Sequence, residues 1–275
     1  MASEIRRSAD RPRLHYDISG PPDGPLLVLG PSLGTTRALW DPHIACLNET
    51  FRVLRYDLPG HGASPTEALG DPLPGRTTVA DLADLVLTVV DAQGRKTFSY
   101  AGVSLGGAIG TQLAVGHPDR VSALALICTS AQFGARVGWL ERAALVRSAG
   151  MAPVVASSSA RWFGDQKTAQ SGLGRSLVRS LAAVDPAGYA ACCDALAELD
   201  LRADLPSVRA PTWVVGGTKD VATPLAHARE LVTGLPQATL RIADCAHLAL
   251  EDPGAIRFVL HTVHRMVSTN GSPST

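Results

Sequence analysis

No apolar run long enough to cross a membrane occurs in the 275 residues, and Met1 to Arg13 mixes charges of both signs without the hydrophobic stretch of an export signal. Residence in the cytoplasm is the expectation. Net charge is also missing: 25 Lys plus Arg stand against 25 Asp plus Glu, so no overall field draws the chain to nucleic acid or to an anionic membrane. The expected partner is a small molecule. Cysteine is scarce, and the five residues (Cys46, Cys128, Cys192, Cys193, Cys245) are odd in number and lack metal-type spacing. They read as reduced, buried small hydrophobes. Cys192 and Cys193 are neighbours that a helix would point about 100° apart, which argues against a bridge. No His, Cys or carboxylate cluster has the spacing of metal ligands, so neither metal nor cofactor is expected. Charged residues make up only 18% of the chain and apolar ones 45%, which permits a sizeable core.

Short Val, Leu and Ile runs alternate with amphipathic helix-length segments, the pattern of parallel strands covered on both faces by crossover helices. Strands are predicted at Leu14–Ser19, Pro25–Gly30, Arg52–Asp57, Thr97–Val103, Val121–Cys128, Thr212–Gly216 and Thr239–Ala243. Helices are predicted at Thr36–Leu47, Thr78–Ala92, Leu105–Gly116, Pro224–Thr233 and Pro253–Met266. The fold class is α/β, with a mostly parallel central sheet and flanking helices. From about Gln132 the alternation stops, and Val137–Ala149, Ala152–Phe163, Gly174–Val184 and Pro186–Leu199 are helical in pattern but too short to stand alone. Residues 132–200 are therefore expected to form a helical cap on a core of 1–131 and 201–267. The Ser-, Thr-, Gly- and Pro-rich tail 268–275 is expected to be disordered.

The chemistry centres on Gly102-Val103-Ser104-Leu105-Gly106-Gly107, placed between a predicted strand and a predicted helix. A G-x-S-x-G string is weak evidence alone, but this context is specific. The turn must hold Ser104 in a strained conformation, and glycine is needed where helix and strand close on each other. A serine hydroxyl also needs a base and a group to fix that base's tautomer. Asp220, after the Thr212 strand, and His247, after the Thr239 strand, supply both in the chain order of the α/β hydrolases. His61 in Asp57-Leu58-Pro59-Gly60-His61-Gly62 suits a loop-ordering hydrogen bond, and His117 before Pro118 suits a helix end. Asp244 is too close to His247 for relay geometry. The N–H groups of Leu105 and Leu33 are the candidate oxyanion donors. The loop carrying Leu33 has neither the Gly-Lys-Ser/Thr of a phosphate cradle nor dinucleotide spacing.

Over nearly the whole chain these residues resemble the 3-oxoadipate enol-lactonases. The matching stretches are Ser32-Leu33-Gly34-Thr35, Leu39-Trp40-Asp41-Pro42, Phe51 to Asp57 leading into Gly60-His61-Gly62-Ala63-Ser64, Arg161-Trp162-Phe163, Gly188 to Leu196 and Gly217 to Pro224. The sequence departs at Pro31, where many members carry Asn, and near Arg76 and Thr77, where many carry an aromatic. Pro31 removes a donor and stiffens the loop beside the expected oxyanion site. The resemblance implies a Ser104–His247–Asp220 triad opening a lactone through an acyl-enzyme. It implies a substrate carboxylate too, for which Arg136, Arg142 or Arg161 is the expected cation, with Trp139 and Trp162 as apolar wall. Another ester or lactone, C–C hydrolysis, cofactor-free peroxidation or small-molecule sensing on the same fold stay open.

Overall fold

The computed structural model describes residues 13–263. Seven strands form one sheet in the order β1-β3-β2-β4-β5-β6-β7. They span Tyr16–Ser19 (β1), Leu26–Gly30 (β2), Arg52–Tyr56 (β3), Phe98–Val103 (β4), Val121–Ile127 (β5), Thr212–Gly217 (β6) and Ala238–Ala243 (β7). All neighbours pair in parallel except β1, which runs antiparallel to β3 with Tyr16 opposite Tyr56. The sheet is flanked by α1 (Asp41–Leu47), α2 (Val79–Asp91), α3 (Leu105–Gly116), α9 (Leu225–Gly234) and α10 (Pro253–Thr262).

The helix expected over Thr36–Leu47 is two pieces. Thr36 caps a single 3-10 turn at Arg37–Trp40 by accepting from the Ala38 N–H, and Pro42 then starts α1 in its first turn. Between β5 and β6 lie α4 (Arg136–Ala149), α5 (Ala152–Trp162), α6 (Gln166–Ala169), α7 (Gly172–Ala182) and α8 (Pro186–Ala197), of which the four-residue α6 has no counterpart in the sequence reading. The expected end of the last helix at 264–266 and the tail 268–275 lie outside the described residues. Among the described residues no helix is long and apolar enough to cross a membrane.

Two features of the topology position the site. The chain reverses its direction across the sheet between β2 and β4, and the carboxyl ends of strands flanking such a reversal open a crevice. Gly30 and Gly102 sit side by side in the β2–β4 register, so the loops leaving those two strands meet. The β6–β7 ladder then continues past Gly217 and Ala243, with Thr218 N–H donating to the Ala243 carbonyl (3.0 Å) and Lys219 N–H to that of Cys245 (3.0 Å). That extension brings the loops bearing Asp220 and His247 together.

Candidate active site

Ser104 is the residue between β4 and α3, and its backbone is at φ 55°, ψ −120°, a strained conformation for a residue with a side chain. The glycines around it are required by contact. A Cβ on Gly102 would collide with the backbone of Gly106, one on Gly106 with the Gly30 carbonyl, and one on Gly107 would lie 2.6 Å from the Thr129 side chain. The elbow is also braced from below, where the Tyr100 hydroxyl donates to the Gly106 carbonyl (2.9 Å) and lies 2.7 Å from the Tyr56 hydroxyl. Burial raises the pKa of both phenols, so the pair stays neutral.

His247 and Asp220 form a buried pair. The Nδ1 of His247 lies 3.1 Å from each carboxylate oxygen of Asp220. Asp220 also accepts from the N–H groups of Ala222 (2.8 Å) and Thr223 (2.9 Å) and from the Thr223 hydroxyl (2.6 Å). Burial alone would push its carboxyl up. The His247 ring and the Thr223 donors outweigh that and hold it below the ordinary Asp value. With Nδ1 facing Asp220, the Nε2 of His247 is the nitrogen free to exchange a proton with a hydroxyl. Asp244 is occupied elsewhere, at the surface, by Lys219 Nζ (2.9 Å) and the Thr218 hydroxyl (2.9 Å).

Ser104, His247 and Leu33 line one narrow pocket, roofed from α4, α5 and α8. Its roof includes Trp139, Trp162, Arg142, Arg161 and Tyr189. The Arg142 guanidinium lies over the Trp139 ring, 5.0 Å from its centre, and interacts with the Tyr189 hydroxyl. Arg136 is a correction to the expected set. It is the first residue of α4, 63% exposed, and its guanidinium is paired with Glu198, the residue that caps the end of α8 (Nη2 to Oε1, 2.5 Å), instead of facing the cavity. The roof is fastened to the His247 loop: Leu248 N–H donates to the Trp162 carbonyl (3.3 Å), and Glu251 accepts from Gly164 N–H (2.8 Å) and Ala246 N–H (3.0 Å).

The backbone N–H of Leu105 is the first of α3, where helix donors have no intrahelical acceptor, and the N–H of Leu33 makes no hydrogen bond among the described residues. Ser32, Ser157, Ser158 and Tyr189 also line the cavity, and the sequence reading singled out none of them as substrate contacts. Thr223 was missed as well, although a Thr three residues after Asp220 has the spacing of a local side-chain to backbone turn.

A model of the α/β hydrolase fold matches residues 25–253. The chain belongs to the α/β-hydrolase fold family. This hydrolase is 31% identical to 3-oxoadipate enol-lactonase 2 of Acinetobacter baylyi over 252 residues, covering 91% of this chain and 92% of that one. Its fold matches the crystal structure of the enol-lactonase from Burkholderia xenovorans LB400 with a TM-score of 0.85 at 32% identity, over 92% of this chain and 96% of that one. A hydrolase of Pseudomonas aeruginosa PA01 matches with a TM-score of 0.83 at 33% identity, covering 94% of each chain.

Proposed function

We propose that this hydrolase opens an acidic enol-lactone through an acyl-enzyme on Ser104, with residues 132–200 serving as the cap over the substrate. The observation that carries the reading is the meeting, in one cavity, of a strained Ser104, a His247 oriented by Asp220, and two cap arginines. Similarity to the enol-lactonases supports the choice of substrate.

In this reading the Ser104 hydroxyl attacks the ring carbonyl as His247 Nε2 takes its proton, and Asp220 stabilises the imidazolium through Nδ1. The carbonyl oxygen gains negative charge and is received by the N–H groups of Leu33 and Leu105, the second at the positive end of α3. The ring C–O bond then breaks, the enolate oxygen leaves with the proton held by His247, and the enol ketonises. Water, deprotonated by His247, attacks the acyl-enzyme and releases the acid with Ser104 restored. Arg142 and Arg161 hold the carboxylate remote from the ring, since a chain of zero net charge needs a local cation to bind an anion.

The test is a turnover panel of acidic enol-lactones, neutral lactones, aryl esters and 1,3-diketones. The expected result is the highest kcat/KM on the acidic enol-lactone. Preferential diketone cleavage would make the enzyme a C–C hydrolase, and saturable binding without turnover would make it a sensor.

A further inference from the structure

Gly60 and Gly62 both have positive φ (73° and 55°), and a Cβ on Gly62 would collide with the Asp57 carboxylate, so the chain between Asp57 and Ser64 doubles back tightly. The loop braces itself: Gly60 N–H donates to the Ser64 carbonyl (3.1 Å), His61 N–H to that of Leu58 (2.9 Å), and Ser64 N–H to that of His61 (2.9 Å). Asp57, fully buried, receives the N–H groups of Arg37 (2.8 Å) and Ala63 (3.2 Å). The result is a rigid platform on which the His61 ring is completely buried.

That ring faces the loop carrying Leu33. The Gly34 N–H donates to His61 Nε2 at 3.0 Å. A backbone amide can only donate, so Nε2 is bare; Nδ1 therefore carries the proton and donates to the Pro59 carbonyl at 2.9 Å. The tautomer is fixed by these two bonds. Gly34 itself sits at φ 83°, in a turn closed by the Thr35 N–H and hydroxyl on the Ser32 carbonyl (3.0 and 2.8 Å). Its other side meets the cap, where a Cβ on Gly34 would lie 2.7 Å from Leu181, 3.2 Å from Trp162 and 3.4 Å from Tyr189. The His61 ring stacks on Tyr189 as well, with centroids 6.2 Å apart and planes at 24°.

We propose that His61 is a positioning residue: by clamping the Gly34 N–H, it fixes the adjoining Leu33 N–H at the point where the carbonyl oxygen of the substrate gains charge. The proposal rests on the reading of Leu33 as an oxyanion donor and goes beyond it. Donor placement to within a fraction of an ångström decides how well an oxyanion is stabilised; the Thr35 bonds close the Leu33 turn on itself, whereas the His61 bond ties it to the Asp57–Ser64 platform, a tie that Pro31, with no N–H, cannot supply. Burial, only partly opposed by the Pro59 carbonyl, Asp57 and Asp185, keeps the ring neutral by lowering its pKa to about 4. The clamp is therefore formed throughout the neutral range.

The experiment follows hydrolysis of 4-nitrophenyl acetate and inhibition by phenylboronic acid, whose tetrahedral adduct on serine occupies the oxyanion site. The proteins compared are wild type and the variants Ser104→Ala, His61→Ala, His61→Asn and His61→Gln. Loss of the clamp should lower kcat about 10- to 100-fold in His61→Ala with KM changed less than about threefold, and weaken the boronate by a similar factor. His61→Gln, whose amide oxygen reaches the place of Nε2, should recover most of the rate, whereas His61→Asn, which keeps only the Pro59 bond, should not. A folded His61→Ala with wild-type kcat, or His61→Asn recovering as much as His61→Gln, overturns the proposal. If Ser104→Ala still turns over, the reading of the site itself has failed. Should the variants not fold, long-range 15N NMR of the wild type decides: a proton on Nε2 of His61 would rule the clamp out.

Discussion

Both carboxylate oxygens of Asp220 lie 3.1 Å from Nδ1 of His247, so the acid grips one nitrogen of an imidazole that lines the same pocket as Ser104 and leaves Nε2 unengaged by it. Thr223 and the N–H groups after Asp220 keep the carboxylate from turning. Replacing Asp220 by Asn preserves the shape but presents an amide where the Nδ1 proton must point. The Asp220→Asn enzyme should lose about 10⁴ in kcat while its melting temperature moves by only a few degrees. Activity within tenfold of wild type would move the orienting acid elsewhere.

The three arginines of α4 and α5 separate into two kinds. Arg142 and Arg161 line the cavity, whereas Arg136 pairs with Glu198 at the surface. Arg142→Ala or Arg161→Ala should raise KM for an acidic lactone by roughly 10- to 100-fold and leave a neutral aryl ester nearly unchanged. Arg136→Ala should affect neither substrate, because an exposed ion pair contributes little. Equal treatment of acidic and neutral substrates by both cavity variants would remove the carboxylate from the account.

Two buried histidines make the fold acid-sensitive. Burial lowers the pKa of His61 to about 4, and burial with the nearby Arg257 and His261 lowers that of His43 to about 4 as well. An unfolded chain takes up these protons from the ordinary His value of 6.5 downward, so between the two values the unfolded state binds more protons. The associated stability is complete above about pH 6.5 and is lost as the pH falls to about 4, by about 3 kcal/mol per ring at most. His43 Nδ1 is buried without a partner, so His43→Leu is the clean test. Urea unfolding at pH 7.5 and 4.5 should show a smaller acid loss in His43→Leu than in wild type; identical losses would exclude His43 as a source.

How much of this was legible in the sequence follows from how local each signal is. The seven strands and the strand–Ser104–helix junction could be read because apolar alternation and glycine spacing are encoded over a few residues. The antiparallel direction of β1 could not, since a four-residue half-buried strand does not name its partner. Choosing among the arginines failed for a similar reason. Arg136 and Arg142 share α4 but stand six residues apart, about two-thirds of a turn around the helix, and only the packing of α8 decides which side faces inward. His61 was readable as a loop-ordering residue, but its bond to Gly34 spans 27 positions and depends on β2 and β3 lying side by side.

Ser104 is the proposed nucleophile of this hydrolase, and covalent trapping reports on it without reference to any substrate. A fluorophosphonate reacts with a serine only where a base and an oxyanion site activate it. Intact-protein mass spectrometry of the treated wild type should show a single adduct, mapping to the peptide that contains Ser104, with loss of activity in step with labelling. Ser104→Ala should stay unlabelled, with kcat below about a thousandth of wild type. A label on another residue, or a folded Ser104→Ala that keeps its turnover, would place the nucleophile elsewhere.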